Sequence, residues 1–167
     1  MSFKINVHTY NINTYIWVVK LEDEIKQSKF RNEYHKLGVN IVYTANWLTH
    51  HHGRHCKEYG ITPEQFNILR ILRGQYPNPA TVNLLIERML NKMSNASRLV
   101  EKLRKKGLVE RRTSKDDRRA CDVLITQKGL DTLKEMDSMD KEMAKLMSHL
   151  SEAEVKNTNK ILDKIRK

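Results

Sequence analysis

The sequence predicts a mainly α fold with one β-hairpin, and three observations carry that prediction. Apolar residues recur at spacings of three and four through most of the 167 residues, the period of an amphipathic helix. One region abandons that period: Leu108 to Thr113 alternates only roughly, Ser-Lys-Asp-Asp makes a polar turn, and Ala120 to Thr126 returns through Val123 and Ile125. Helix start and stop signals punctuate the rest, at Thr62-Pro63-Glu64-Gln65, Thr81, Gly107, Thr126 and Ser151-Glu152-Ala153-Glu154.

Taken in order, Met1 to Lys20 is sparse in charge and carries Phe3, Ile5, Val7, Tyr10, Ile12, Tyr15 and Trp17 in a partly alternating pattern, which reads as an arm able to pack as a strand on a partner. Leu21 to about Cys56 reads as helix, interrupted or kinked near Gly38, with Phe30, Tyr34, Leu37, Ile41, Ala45 and Leu48 on one stripe. Gly60 ends this region. Thr62, Pro63 and Gln65 supply an N-cap, a proline in the first turn and a capping-box glutamine for the next helix, which buries Phe66, Leu69 and Leu72 and stops at Gly74. A Pro-rich loop, Tyr76 to Ala80, leads to Thr81, the cap of a short helix from Val82 to Met89 with Leu85, Ile86 and Met89 inward.

A second helix follows across Leu90-Asn91. Its Ala96, Leu99, Val100 and Leu103 form one apolar stripe, and Gly107 stands where a helix ends on a left-handed residue. After the hairpin, Thr126 caps a long helix in which Leu130, Leu133, Met136, Met139, Met143, Leu146, Met147 and Leu150 repeat at nearly heptad spacing. That stripe reads as adaptable packing in preference to a cofactor-binding methionine box. A last helix opens at Ser151 with Val155, Leu162 and Ile165 inward. The terminal helices together offer more apolar surface than a small core can cover, and a second subunit is its natural cover.

The charge is unevenly spread. Lys92 to Arg119, a sixth of the chain, holds eleven Lys and Arg against four Asp and Glu, a net +7 of the chain's +11. Cations gathered on a helix and an adjoining hairpin repel one another unless an anion balances them, and the densest available anion is nucleic-acid phosphate. The plainer alternative is a solvated charged surface. A sequence pI near 9.7 points the same way, and 39% hydrophobic residues argue against a disordered chain. Cys56 and Cys121 lie far apart with no C-x-x-C spacing, as expected of reduced cytoplasmic thiols. No apolar run has the length of a membrane span, and Tyr15 to Val19 has neither the length nor the cleavage site of a signal peptide, so no membrane partner is expected.

The order helix, turn, Ser/Asn-bearing helix, then K-K-G-L-V-E-R-R, D-D-R-R and L-I-T-Q-K-G resembles the MarR family of bacterial transcriptional regulators from about Phe30 onward. The most specific set is Asp117 and Arg119 followed by Leu124, Thr126, Lys128 and Gly129. The resemblance implies a winged helix-turn-helix flanked by N- and C-terminal dimerisation helices. It divides the chain into an arm (1–20), an N-terminal dimerisation helix region (21–60), a DNA-binding domain (61–129) and C-terminal dimerisation helices (130–167). It further implies a homodimeric repressor on an inverted-repeat operator in double-stranded DNA, without a cofactor.

On the same resemblance, Ser94, Asn95, Ser97, Arg98 and Lys102 face the major groove. Arg119 stands as the minor-groove arginine of the wing with Asp117 orienting it, while Lys115 and Arg118 hold phosphate. Family members commonly respond to small aromatic or phenolic effectors, for which Tyr43, Trp47 and Phe66 are the candidate pocket, although core or interface packing is the plainer reading of Tyr43 and Trp47. The chain departs from the pattern at the corner, where Leu90-Asn91 replaces the frequent glycine, and before Leu21, where the pattern has no counterpart.

Two rivals are weighed against this reading. His51/His55 and His52/Cys56 are four apart and share helix faces, so the run His50 to Cys56 is a candidate metal site and the chain a candidate metal-responsive regulator. No neighbouring carboxylate completes that ligand set in sequence, and histidines also collect near helix ends without chemistry. The other rival is a dimeric interaction module whose basic face binds protein or membrane. An enzyme is not expected, because no nucleophile elbow, phosphate-binding loop, zinc-hydrolase helix or dinucleotide fingerprint is present.

Overall fold

The computed structural model describes residues 19–113 and 121–166, which form eight helices and three strands. In order these are α1 (Leu21–Glu24), α2 (Glu33–Glu58), α3 (Pro63–Gln75), β1 (Ala80–Thr81), α4 (Val82–Arg88), α5 (Ala96–Lys105), β2 (Val109–Thr113), β3 (Cys121–Ile125), α6 (Gln127–Glu135), α7 (Ser138–Leu146) and α8 (Glu152–Ile165). Two units are distinguished, one of Met1–Asn40 with Ser148–Lys167 and the other of Ile41–Met147. Val19 and Lys20 are the described part of the arm expected over Met1–Lys20; the rest of that arm, and the wing residues Lys115, Asp117, Arg118 and Arg119, lie outside the described residues, as does the side chain of Met139.

The unit Ile41–Met147 has a continuous apolar core. Ile68, Leu69 and Leu72 of α3, Leu85 of α4, Ala96, Val100 and Leu103 of α5, Val109, Val123 and Ile125 of the strands, and Leu133 of α6 are all buried in it. The capping box of α3 forms as read: Thr62 accepts from the Gln65 N–H, and the Gln65 side chain accepts from the Thr62 N–H. The hairpin also forms, with Val109 opposite Ile125 and Thr113 opposite Cys121 in antiparallel register. The sheet gains a third strand, because Ala80-Thr81 from the Pro-rich loop pairs with Val123 and Asp122, giving the order β1-β3-β2.

The two closing motifs of the hairpin have steric and polar causes. A Cβ at Gly129 would collide with the Leu108 carbonyl and stand 2.7 Å from Cγ1 of Ile125, so only glycine fits. Thr126 uses one hydroxyl twice, accepting from the Gly129 N–H at 3.1 Å as the cap of α6 and donating to the Gly107 carbonyl at 2.7 Å. Lys128 donates to the Lys106 carbonyl at 3.0 Å. Gly107 itself has φ +72°, the left-handed conformation that ends α5.

The structure corrects several expectations. The N-terminal helix breaks between Glu24 and Glu33, with Lys26 at φ 56°, and α2 then runs unbroken through Gly38, where an added Cβ would meet nothing. Asn32 explains the restart: its carboxamide oxygen accepts from the His35 N–H at 2.8 Å. The single long helix expected after Thr126 is two helices, with a turn at Met136–Asp137. There the Tyr59 hydroxyl donates to the Glu135 carbonyl at 3.3 Å and Asp137 pairs with Arg73 at 2.8 Å, so the turn is held by α3 and the end of α2. Ile86 points outward, unlike Leu85 and Met89, and Tyr34 and Leu37 of the expected stripe are exposed.

In the other unit, Leu21 is buried, Lys36 pairs with Glu22 at 2.5 Å and the His35 ring meets Phe30 edge-on at 5.8 Å. Helix α8 starts on the Ser151/Glu154 capping box but buries no residue. Val155 and Leu162 are half-buried, and Ile165, expected inward, is 48% exposed, with nothing among the described residues burying that end of the stripe.

Candidate nucleic-acid interface

Helices α4 and α5 and the turn between them form a helix-turn-helix, each starting on a side-chain cap. Thr81 accepts from the Leu84 N–H at 3.1 Å, and Asn95 accepts from the Arg98 N–H at 2.9 Å. The corner works without the glycine that many such turns use. Neither Leu90 nor Asn91 has a positive φ, the Leu90 N–H donates to Asn67 of α3 at 2.9 Å, and Asn91 accepts from the Met93 N–H through its side chain and from the Ser94 N–H through its carbonyl. Asparagine thus closes the turn by its own hydrogen bonds.

Helix α5 divides cleanly into two faces. Ala96, Val100 and Leu103 are buried, while Ser97, Arg98 and Lys102 are exposed and Ser94 is half-buried just before the helix. The five residues expected to meet the groove therefore lie together at one end of α5 and on its outer face. Asn95 differs from the others in that its oxygen is committed to the cap, leaving its carboxamide N–H groups as donors.

The positive charge of Lys92–Arg119 sorts by whether each cation already has a partner. Arg104 forms a fork with Glu101 through two bonds of 2.9 Å, and this bond with the guanidinium holds the Glu101 carboxyl below its ordinary pKa. Lys92 donates to the Glu87 carbonyl, Arg112 pairs with Glu110, and Arg111 donates to the Cys121 sulfur at 2.7 Å. Lys106 turns inward, donating to the Gly60 carbonyl and, at 3.3 Å, to the buried Gln65 side chain, which fastens the end of α5 to the start of α3. Among the described residues of the stretch, Arg98, Lys102 and Lys105 keep side chains without an internal hydrogen bond or ion pair. Sequence showed the cation count; only the fold separates those spent on structure from those available to a ligand.

The aromatic candidates are dispersed. Tyr43 is half-buried on α2, Trp47 meets the His51 ring edge-on at 4.5 Å, and Phe66 packs on the core under the Arg70 guanidinium at 5.8 Å. A cavity of about 560 Å³ lies between α2 and α7, lined by His51, His52, His55, Glu142, Met143, Lys145 and Leu146. Trp47 reaches its border through His51. His55 has Glu58 and Glu142 each 3.7 Å from Nδ1, and its buried Nε2 has no hydrogen-bond partner. Cys56 is fully buried, and burial pushes its thiol up to about 11. Among the described residues, no three of His, Cys, Asp and Glu converge as a metal-ligand set.

Comparison with known proteins places this arrangement. A model of the MarR family matches residues 59–120, from just after α2 to the residue before β3. The chain is 27% identical over 131 residues to the HTH-type transcriptional regulator MhqR of Bacillus subtilis (strain 168), covering 78% of this chain and 89% of that protein. Among solved structures it resembles the organohalide-sensing regulator RdhR in its 2,4-dichlorophenol-bound form, with TM-score 0.73 and 21% identity over 84% of this chain and 85% of that one. It also resembles an Escherichia coli MarR variant complexed with operator DNA, with TM-score 0.69 and 23% identity over 83% of this chain and 99% of that one.

Proposed function

Since the chain belongs to the MarR family of winged helix-turn-helix transcriptional regulators, we propose that it acts as a homodimeric repressor that reads an inverted-repeat operator and is released by a small effector. The observation that carries this reading is the outer face of α5: Arg98 and Lys102 stand without an internal hydrogen bond or ion pair over an apolar face sealed into the core. A helix fixed by one face and cationic on the other is the element that a major groove admits. Arg98 and Lys102, with Ser94, Asn95 and Ser97, read the groove. Lys115 and Arg118 hold phosphate, and Arg119, oriented by Asp117, enters the minor groove.

Two copies give two recognition helices about one duplex turn apart, roughly 10 base pairs between half-site centres. A dimer seated there blocks transcription by occupancy. The effector is a small aromatic or phenolic molecule: the α2–α7 cavity is large enough for one, and RdhR has been seen with 2,4-dichlorophenol. Tyr43, Trp47 and Phe66 lie on the helices that would sense it. No helix among the described residues is long and apolar enough to cross a membrane, and the protein acts in the cytoplasm, where its DNA is.

Selecting bound fragments from random duplex DNA tests the reading directly. An inverted repeat should emerge, and Arg98→Ala should bind it about 10- to 150-fold more weakly while losing preference at one symmetric pair of positions. An equal loss on every sequence would reduce Arg98 to a phosphate contact.

A further inference from the structure

Two large apolar side chains stand almost bare beside the start of α5. Met93 is 94% exposed and Leu90 is 90% exposed, although their neighbours Met89 and Ala96 are buried. A loose turn does not account for this. The Met93 N–H is held by the Asn91 side chain, the Leu90 N–H by Asn67, and the Ser94 N–H by the Asn91 carbonyl. The backbone from Leu90 to Ser94 is therefore fixed by bonds that no apolar side chain is needed to make, and a polar residue would serve the turn equally well at lower solvation cost.

Position and chemistry name a ligand. Met93 is two residues before Asn95, the cap of α5, and recognition helices present their N-terminal residues to base edges. Arg98, in the first turn of that helix, puts an unpaired positive charge at this end, and Lys102 adds another further along the exposed face. The ligand of such a surface is a polyanion that also offers an apolar group. In the major groove that group is the C5 methyl of thymine, the one apolar feature among the donors and acceptors of the base edges. An unbranched thioether side chain adapts its shape to such a methyl without needing a hydrogen-bond partner.

We infer that Met93 is a specificity-determining residue that packs on a thymine methyl in each half-site, adding apolar readout to the polar readout by Arg98 and its neighbours. The inference rests on the DNA-binding reading given above. It assigns a recognition role to a residue whose sequence context gives no sign of one, since a lone methionine in a turn is unremarkable until its exposure is known.

The test uses the full-length protein and its selected operator, with each symmetric thymine pair replaced in turn by deoxyuridine, which pairs as thymidine does and lacks only the methyl. Removing one buried methyl per half-site should weaken the parent about four-fold per site, or about fifteen-fold for the pair, at one pair of positions. Met93→Ala should bind the thymine and deoxyuridine operators alike and retain the parent's melting temperature, and Met93→Leu should restore part of the discrimination. The proposal is overturned if no thymine pair is sensitive, or if Met93→Ala keeps the parent's sensitivity. Failure to select any duplex overturns the DNA-binding reading and this proposal together. Binding to vesicles containing anionic lipid that Met93→Ala abolishes, with operator discrimination unaffected, assigns the exposed pair to a membrane surface instead.

Discussion

Helices α5 and α8 begin in the same manner, on a side-chain cap, Asn95 in one and Ser151 with Glu154 in the other. Each carries an apolar stripe at helical spacing. In α5 the stripe is covered, with Val100 and Leu103 wholly removed from solvent, whereas α8 buries no residue and leaves Ile161 and Ile165 nearly half exposed. The contrast separates two things that a sequence pattern runs together. Caps and periodicity make a helix locally, while the coverage of its apolar face depends on what the rest of the fold brings across from it. Helix α5 has α3, α4 and the sheet. The face of α8 is the one that the proposed second copy would complete.

The largest test of the contrast is in the two cores. Leu103→Ala should cost about 2–5 kcal/mol of stability, read by denaturant unfolding, because it leaves a cavity among fully buried neighbours. Leu162→Ala, at a half-buried site, should cost less than half as much when measured in dilute protein. Comparable losses would mean that α8 is packed as tightly as α5 and that no further cover is needed.

A smaller test concerns the caps, which the contrast treats as equivalent. Asn95→Ala and Ser151→Ala should each cost about 1 kcal/mol, since either change leaves an N–H of the first helical turn without its acceptor. A much larger loss at Asn95 would show that its cap is coupled to the surrounding core and is more than a local device.

The features legible in the sequence were local ones. The caps at Thr62, Thr81, Thr126 and Ser151, the left-handed Gly107, the buried stripe of α5 and the hairpin each depend on residues within a few positions of one another. Features that depended on distant residues were missed. Strand β1 exists only because β3, some forty residues later, pairs with it. The break at Met136–Asp137 interrupts a stripe whose apolar spacing continues across it, so periodicity gave no warning there, and the break at Lys26 precedes the stripe that begins at Phe30. In the site, charge counting located α5, but it did not show that Lys106 turns inward to Gly60 and Gln65 or that Asn91 replaces the corner glycine through its side chain. Met93 escaped notice because exposure is a property of the fold.

On the proposed function α5 reads DNA from within a dimer, and one experiment confronts that reading. The intact protein and a form ending before Ser151 are compared by sedimentation and by affinity for the full inverted repeat and for one half-site. Every residue proposed to face DNA remains in the shorter form, but Val155, Leu162 and Ile165 are gone. The intact protein should sediment as a dimer and bind the full repeat about 100-fold or more tighter than the half-site, the gain expected from linking two weak sites. The shorter form should sediment as monomer or aggregate and lose that gain. A monomeric shorter form that holds the full repeat as tightly as the intact protein would contradict the account.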